Sequence, residues 1–456
     1  MPEDLPDTVT EHGLDGREID RVLAALAAQD DDGLSSAIEA LHPADAADLL
    51  EQVAPTEREE LLARWPGSID GEVLSELSDG LREEVIDLLP PDTLRDAVRD
   101  LESDDVVDLV EDLDEPRQEA ILDALAEPDR ITIERSLSHP EESAGRLMQP
   151  VAVAVPEHWT VGEVIDYMRA RDDLPEQFYH VFLVDPRMYP KGYVTLGRVL
   201  SHARSTHLMA LTEDSFRVIP VETPEDEVAY VFNQYHLISL PVVDDAGRLT
   251  GVITIDDAMT VLDEEHEEDI LRLGGVGEEE LSDRVIDILR ARMPWLMVNL
   301  FTAIIASLVI AQFDDAIAAI VALAVLMPIV ASMGGNAGTQ SLTVAVRALA
   351  TRDLTQSNMT RVVRREAIVG LLNGVVFAVV MGTLALVWFG SPVLGWVLAA
   401  AMVVNLLVAG LAGILVPVLL DRANLDPALA SGTFVTTVTD VVGFASFLGL
   451  ATLILL

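Results

Sequence analysis

No cysteine occurs among the 456 residues, so neither a disulfide nor a thiolate metal site can form. Lysine is almost as scarce. Lys191 is the only one, and Lys and Arg together number 29 against 77 Asp and Glu, a formal net charge of −48. So negative a balance excludes nucleic-acid phosphate as a partner and makes cations the natural ones. The near-exclusive use of Arg together with this acidity also fits adaptation to concentrated salt, to which most of the charge is credited. The first sixteen residues, MPEDLPDTVTEHGLDG, lack a basic start and an apolar core, so no cleaved signal peptide is expected. The nine His are scattered without close ligand spacing. No nucleophile, base and metal set assembles, so no enzyme is expected.

What is present is divided unevenly along the chain. Residues 294–456 hold seven acidic and six basic side chains, which leaves 70 and 23 in residues 1–293. An acidic, soluble part therefore precedes an apolar one, and length alone calls for several structural units. Five apolar stretches, 294–313, 316–349, 366–390, 393–420 and 427–456, are each long enough to cover about 30 Å of hydrocarbon as a helix. Arg290 and Arg292 precede the first stretch; Arg347, Arg352, Arg361, Arg364 and Arg365 cluster between the second and third; Arg422 lies between the fourth and fifth. The other two connections, QFDDA and FGSPVLG, carry no base. This alternation places residues 1–293 in the cytoplasm and the C-terminus outside.

Two polar features sit within the apolar stretches. Pro328, Gly334, Gly335, Asn336 and Gly338 near the middle of the second predict a distorted helix that opens to present carbonyls, with Gly335 and Asn336 lining a cavity. Asp440 is the one carboxylate deep inside a stretch, and no intramembrane Lys or Arg is available to neutralise it. A passing cation, a proton or a water-filled cavity must do so. Thr433, Thr436 and Thr437 share or border its helical face. A carboxylate with neutral oxygens suits hydrated magnesium, which gives up water reluctantly, although other hard divalent ions, sodium or protons are chemically compatible.

The soluble part reads as two regions. From residue 17 to about 135, DAADLLEQVAPTEREELL recurs as DVVDLVEDLDEPRQEAIL, with a related piece between them, which predicts an α-solenoid. Asp104, Asp105 and Asp108 fall on one helical turn there and form a candidate metal group. From about Ser138 two similar strand–helix–strand–strand units follow. They resemble a tandem pair of CBS modules, on LPVVDDAGRLTGVITIDD above all. The resemblance implies adenosine nucleotide as a candidate ligand through a closing G-x-x-T-x-x-D, met by Gly251, Thr254 and Asp257; in the first unit Arg198 stands at the place of that Asp. Beyond the pair, Asp257, Glu264, Glu265, Glu268 and Asp269 crowd onto little more than three helical turns, read as almost without balancing base. Such repulsion makes the segment an element with two positions, set by cytoplasmic cation.

In this order the regions, with MPIVASMGGNAGTQSLTVAVRAL and SGTFVTTVTDVVGF in the membrane, resemble the MgtE family of magnesium channels over essentially the entire chain. The resemblance implies a multidomain fold: an acidic helical-repeat domain (1–137), a tandem CBS pair (138–262), an acidic connecting plug helix (263–292) and an all-α domain of five transmembrane helices (293–456). It further implies a homodimer in the lipid bilayer of the cell membrane, with the pore between subunits. Hydrated magnesium would bind at Asp440 beside Gly335, Asn336 and Thr436, and sensing carboxylates map onto Asp257, Glu265, Glu268 and Asp269, with Asp226 and Glu227 as further candidates. His236 and Thr260 stand where further acids are expected, so fewer or weaker sensing sites are anticipated. A proton- or sodium-coupled divalent cation carrier is the alternative, and a membrane-anchored CBS sensor a more distant one.

Overall fold

The computed structural model describes residues 14, 16–65, 69–99, 101–111, 113, 115–171, 174–175, 178–213, 216–276, 285–423 and 425–456. Two compact units divide the chain, one ending at Asp263 and the other running from Glu264 to Leu456; each is taken by itself.

The first unit opens with ten helices: α1 (Gly16–Ala28), α2 (Asp31–Ile38), α3 (Pro43–Gln52), α4 (Pro55–Ala63), α5 (Gly71–Ser75), α6 (Asp79–Leu88), α7 (Pro91–Arg99), α8 (Ser103–Glu111), α9 (Glu115–Leu122) and α10 (Glu127–Leu137). Their leucines and valines, among them Leu49, Leu50, Leu61, Leu74, Val85, Val98 and Leu109, form one continuous core. The repeat read in the sequence also governs hydrogen bonding. Arg58 Nε donates to the Leu50 carbonyl, and Gln118 Nε2, eight residues beyond Val110, donates to the Val110 carbonyl at the matching place. Each side chain satisfies a carbonyl near a helix end that would otherwise be orphaned.

The same unit continues through α11 (Ala144–Leu147), β1 (Ala154–Pro156), α12 (Val161–Arg169), β2 (His180–Val184), β3 (Pro190–Thr195), α13 (Leu196–Ser201), a 3₁₀ turn (Leu208–Leu211), β4 (Ile219–Pro220), α14 (Glu225–Tyr235), β5 (Ser239–Val243) and β6 (Leu249–Thr254). Two three-stranded sheets result, ordered β1-β2-β3 and β4-β5-β6, each with a parallel first pair and an antiparallel second. The duplication extends to the register. Both antiparallel pairs slip at the last residue step of the middle strand, Leu183/Val184 and Val242/Val243. Fully buried β2 and β5 read as continuous apolar runs because both of their faces are covered.

Helix α15 (Ile255–Leu273) starts inside the closing motif and spans the division between the units. The expected connecting helix 263–292 is therefore partitioned differently: its first part belongs to α15, which is followed by Gly275 in the left-handed region (φ 73°). Residues 277–284 lie outside the described residues, and 285–292 begin α16 (Val285–Ala311).

The second unit adds α17 (Asp314–Ala319), α18 (Ala322–Ala350), α19 (Met359–Phe389), α20 (Pro392–Arg422) and α21 (Pro427–Leu455). Five of its helices, those spanning Ile288–Ala311, Ala322–Ala350, Met359–Phe389, Pro392–Arg422 and Gly432–Leu455, are long and apolar enough to cross a membrane. The second apolar stretch is not one element from 316. Ile320 takes an extended conformation (φ −133°, ψ 84°), so α17 stops and α18 starts afresh. Helix α20 is the hub: α18, α19 and α21 all pack on it, and its residues Val397, Ala401, Met402 and Leu406 are buried. Helices α19 and α20 approach most closely at Gly370, where a Cβ would lie 2.7 Å from the Leu406 carbonyl oxygen.

Candidate ion pathway and sensing carboxylates

Pro328 and the two consecutive glycines do not open α18, which is helical without interruption from Ala322 to Ala350. The expected break is absent because the small residues meet other helices. A Cβ on Gly334 would lie 2.3 Å from Asn405 Nδ2, and one on Gly338 would lie 2.6 Å from Val435. Asn405, fully buried on α20, donates to the Val330 carbonyl at 2.8 Å and fills the space left by Gly334 and Gly443. Sequence reasoning passed over Asn405. Its signal was there: it is the one carboxamide in the stretch 393–420.

Gly335 differs from its neighbours, since a Cβ there would meet nothing closer than Thr436 Cγ2 at 4.0 Å. The two glycines should therefore separate in a thermal unfolding experiment on detergent-solubilised protein. Gly334→Ala is expected to lose about 1–3 kcal/mol by overpacking against Asn405, whereas Gly335→Ala gains up to about 1 kcal/mol from helix propensity. Equal losses would contradict this division of labour.

The contact between Gly335 and Thr436 places α18 and α21 side by side at the level of the candidate pore residues. Asn336 is exposed on α18, with Nδ2 3.5 Å from Ser332 Oγ. One turn beyond Thr436 on α21 stands Asp440, partly buried. Among the described residues nothing donates to its carboxylate and no cation pairs with it. The threonine hydroxyls point their protons back along their own helix: Thr436 to the Gly432 and Thr433 carbonyls, Thr437 to Thr433, Thr439 to Thr436. Their oxygens keep lone pairs for an incoming cation or its water. Asn299 of α16, a second residue that sequence reasoning missed, accepts from Thr433 at 2.9 Å.

Carboxylates of the first unit converge where α8 faces the start of α15. Asp104 is only 7% exposed, and burial followed by the charges of Asp257, Asp105 and Glu102 pushes its carboxyl well above the usual range. Asp105 is pushed up to about 7 by burial and then by Asp257, Glu102, Asp108 and Glu72. Burial likewise pushes Asp257 to about 6, against the hydrogen bonds that it accepts from the Thr254 amide and hydroxyl. Gln149 Nε2 donates to both Glu102 and Asp104. Asp108 turns away to Arg82 at 2.9 Å. No group of three His, Asp or Glu among the described residues is arranged to hold a metal directly.

The acidic crowd read along α15 is thus split. Asp257 looks to α8, while Glu268 and Asp269 belong to the second unit, and the segment does carry a base. Arg272 pairs with Glu268 one turn back and reaches Asp426, between α20 and α21, at 3.1 Å. Asp269 is raised by burial and by Asp426. Leu273 packs against a cluster made by Leu342 and Val346 of α18 and Ala428 and Val435 of α21. The end of α15 is therefore seated on the two helices that carry Gly335, Asn336 and Asp440. Glu265 is partly buried on α15, and Asp226 and Glu227 occupy the first turn of α14, where the helix dipole favours negative charge. His236 closes that helix in the left-handed region (φ 52°), and Thr260 donates to the Asp256 carbonyl. Arg198, at the place of Asp257 in the first CBS unit, donates to the Leu211 carbonyl and pairs with Glu213.

Comparison with known proteins decides the family. A model described as divalent cation transporter matches residues 327–450, the MgtE intracellular N domain matches 41–142, and CBS domains match 144–205 and 210–264. The magnesium transporter MgtE of Thermus thermophilus is 35% identical over 318 residues, 69% of this chain and 70% of that protein. The chain belongs to the MgtE family. A second relative, the magnesium transporter MgtE of Bacillus subtilis, is 29% identical over 317 residues, 69% of this chain and 70% of its own length. A crystal structure of the cytosolic domain of the Mg2+ channel MgtE in complex with ATP is 30% identical, covering 53% of this chain and 99% of that one at a TM-score of 0.49. As a member of the MgtE family the chain is a membrane-embedded transporter and not an enzyme, with cytosolic N-terminal domains, a CBS pair and five candidate membrane helices.

Proposed function

We propose that this MgtE-family chain passes magnesium across the cell membrane as a homodimer, through a pore lined by α18 and α21 of both copies. The observation that carries the reading is Asp440: a carboxylate on a membrane helix without a protein partner, one turn from Thr436 and the Gly335 contact. Partnerless carboxylates in hydrocarbon are expensive, so the site is built for something that passes. One negative charge among hydroxyl and amide oxygens suits an ion that keeps part of its water. The exposed polar edge formed by Asn336 and Thr339 of α18 and Thr433 of α21 is the surface a second copy would close over. Five crossings then put the N-terminal domains in the cytoplasm and the C-terminus outside.

The carboxylates of α8 and α15 sense the same ion from the cytoplasmic side. Bound there, a divalent cation supplies the positive charge that Asp104, Asp105 and Asp257 lack. Without it their ionised forms repel, and α15, which carries Asp257 near its start and Leu273 at its end, is the element that repulsion displaces. Glu265, Glu268 and Asp269 extend the acidic surface of that helix, whereas Arg272 on Asp426 supplies a fixed cation of the chain's own. Adenosine nucleotide is a further candidate ligand of the CBS pair. Only the second unit holds the Thr254–Asp257 arrangement, so its stoichiometry does not exceed one per chain.

Flux tests the pore. Magnesium uptake into vesicles containing the protein is expected to follow the magnesium gradient and the membrane potential alone, and to persist when sodium and proton gradients are collapsed. Uptake that stops with either gradient would replace the channel by a coupled carrier.

A further inference from the structure

A second polar site lies in the membrane unit, on a different face of α18 from Asn336. Helices α18 and α19 splay apart over α20 and leave a cleft of about 160 Å³. Its walls include Gln340, Ser341, Glu366 and Asn373 together with Val344 and Val369, which are 51% and 42% exposed on the outer surface of the helices. The Glu366 carboxylate is 12% exposed; Oε2 accepts from Ser341 Oγ at 3.1 Å, and Oε1 lies 3.5 Å from Arg365. Among the described residues the carboxamides of Gln340 and Asn373 have no partner, nor have the guanidinium groups of Arg361 and Arg364.

Depth gives these facts their meaning. Counting from the start of α19 at Met359, Glu366 lies about 10 Å and Asn373 about 21 Å along the helix axis. Arg361 and Arg365 therefore stand at headgroup level, Glu366 just beneath, and the carboxamides in the acyl region. Unpartnered amides facing hydrocarbon cost several kcal/mol each, so the cleft requires a polar occupant. Three Arg and one Glu make its mouth net positive, which disfavours a free cation. The cleft opens sideways between helices, towards lipid, and its remaining walls are apolar.

We propose that this cleft seats one phospholipid of the cytoplasmic leaflet, its phosphate on Arg361 and Arg365, its headgroup amine on Glu366, and its glycerol-backbone oxygens on Gln340 and Asn373. The charge order of the site is that of the ligand: guanidinium for phosphate, carboxylate for ammonium, amide N–H for the oxygens beneath. The site goes beyond the pore assignment and stands or falls without it.

The test uses delipidated full-length protein in detergent, with native mass spectrometry counting tightly held adducts and thermal unfolding reading their effect. Phosphatidylethanolamine, phosphatidylcholine and inorganic phosphate are the probes. Wild type is expected to hold one phosphatidylethanolamine per chain and to unfold several degrees higher with it than with phosphatidylcholine. Removing two arginines in Arg361→Ala/Arg365→Ala weakens retention by about 30-fold. Glu366→Gln keeps the adduct but loses the preference for ethanolamine over choline. Asn373→Leu removes the need for a polar occupant, so it releases the lipid while unfolding no lower than lipid-free wild type, which separates ligand loss from misfolding. Asp440→Asn retains lipid as wild type does, even if its flux is unchanged and the pore reading fails. Equal retention in wild type and the double Arg variant, an ethanolamine preference that survives Glu366→Gln, or the same stabilisation from inorganic phosphate alone would each overturn the proposal.

Discussion

Asp440→Asn is expected to lower magnesium flux by at least about 100-fold while leaving the protein no less stable than wild type. The two halves of this result rest on different physics. A conducting site must offset dehydration of the ion by attraction, and removing a partly desolvated opposite charge forfeits about 3 kcal/mol or more, which corresponds to roughly two decades in binding. Stability moves the other way, because a carboxylate without a partner is the costly state of α21 in the absence of ion. Asn has nearly the same shape and no charge. Vesicle uptake and thermal unfolding with and without magnesium check both halves together: flux and magnesium-dependent stabilisation should be lost while the ion-free unfolding midpoint holds or rises. Unchanged uptake would remove Asp440 from the pathway, and a collapsed midpoint would make it a structural residue.

The acidic cluster of α8 and α15 predicts an unusual pH dependence. In the folded chain Asp105 keeps its proton to about pH 7 and Asp257 to about pH 6, with Asp104 raised as well, whereas the unfolded chain releases these protons near pH 4. Between about pH 4 and 7 the folded state therefore holds more protons than the unfolded one, and stability falls as pH rises through that window. Summed over the cluster the decline should be on the order of 3 kcal/mol in chelator. Magnesium competes with the same protons, so it should restore stability at pH 8 and do little at pH 5.5. Asp257→Asn removes a shared neighbour of both α8 acids and is expected to flatten the chelator profile and to weaken the magnesium response. Full-length protein unfolded at fixed high salt provides the measurement, since surface repulsion is screened within about 3 Å at 1 M and only the buried group then retains its effect. A wild-type profile that rises from pH 5.5 to 8 in chelator would contradict the cluster.

Glycine, asparagine and the α15 acids show how far a linear reading goes. Periodicity and composition are local properties, and they placed the helical repeats, the duplicated strand units and the apolar stretches close to where the chain forms them. Lone polar residues in apolar runs were equally visible, which is why Asp440 stood out. Partners were not visible. Gly334 looked like a place for the helix to open because nothing in the sequence says that Asn405, 71 positions later, fills the gap it leaves. The acids of α15 looked like one patch because they are neighbours in sequence, yet the helix passes from one unit to the other and hands Asp257 to α8 and Asp269 to Asp426.

By itself, then, the sequence determined which elements form, which of them are apolar enough for a membrane and which charges are out of place there, because helix, strand and hydrocarbon each select residues within a short window. Only the tertiary structure decided what those charges face: that Asp440 has no protein counter-ion among the described residues, that α18 stays closed over Asn405, and that Asp104, Asp105 and Asp257 share one crowded, proton-hungry corner. Electrostatic energy depends on distance and desolvation in space, and neither quantity is written in the order of the residues.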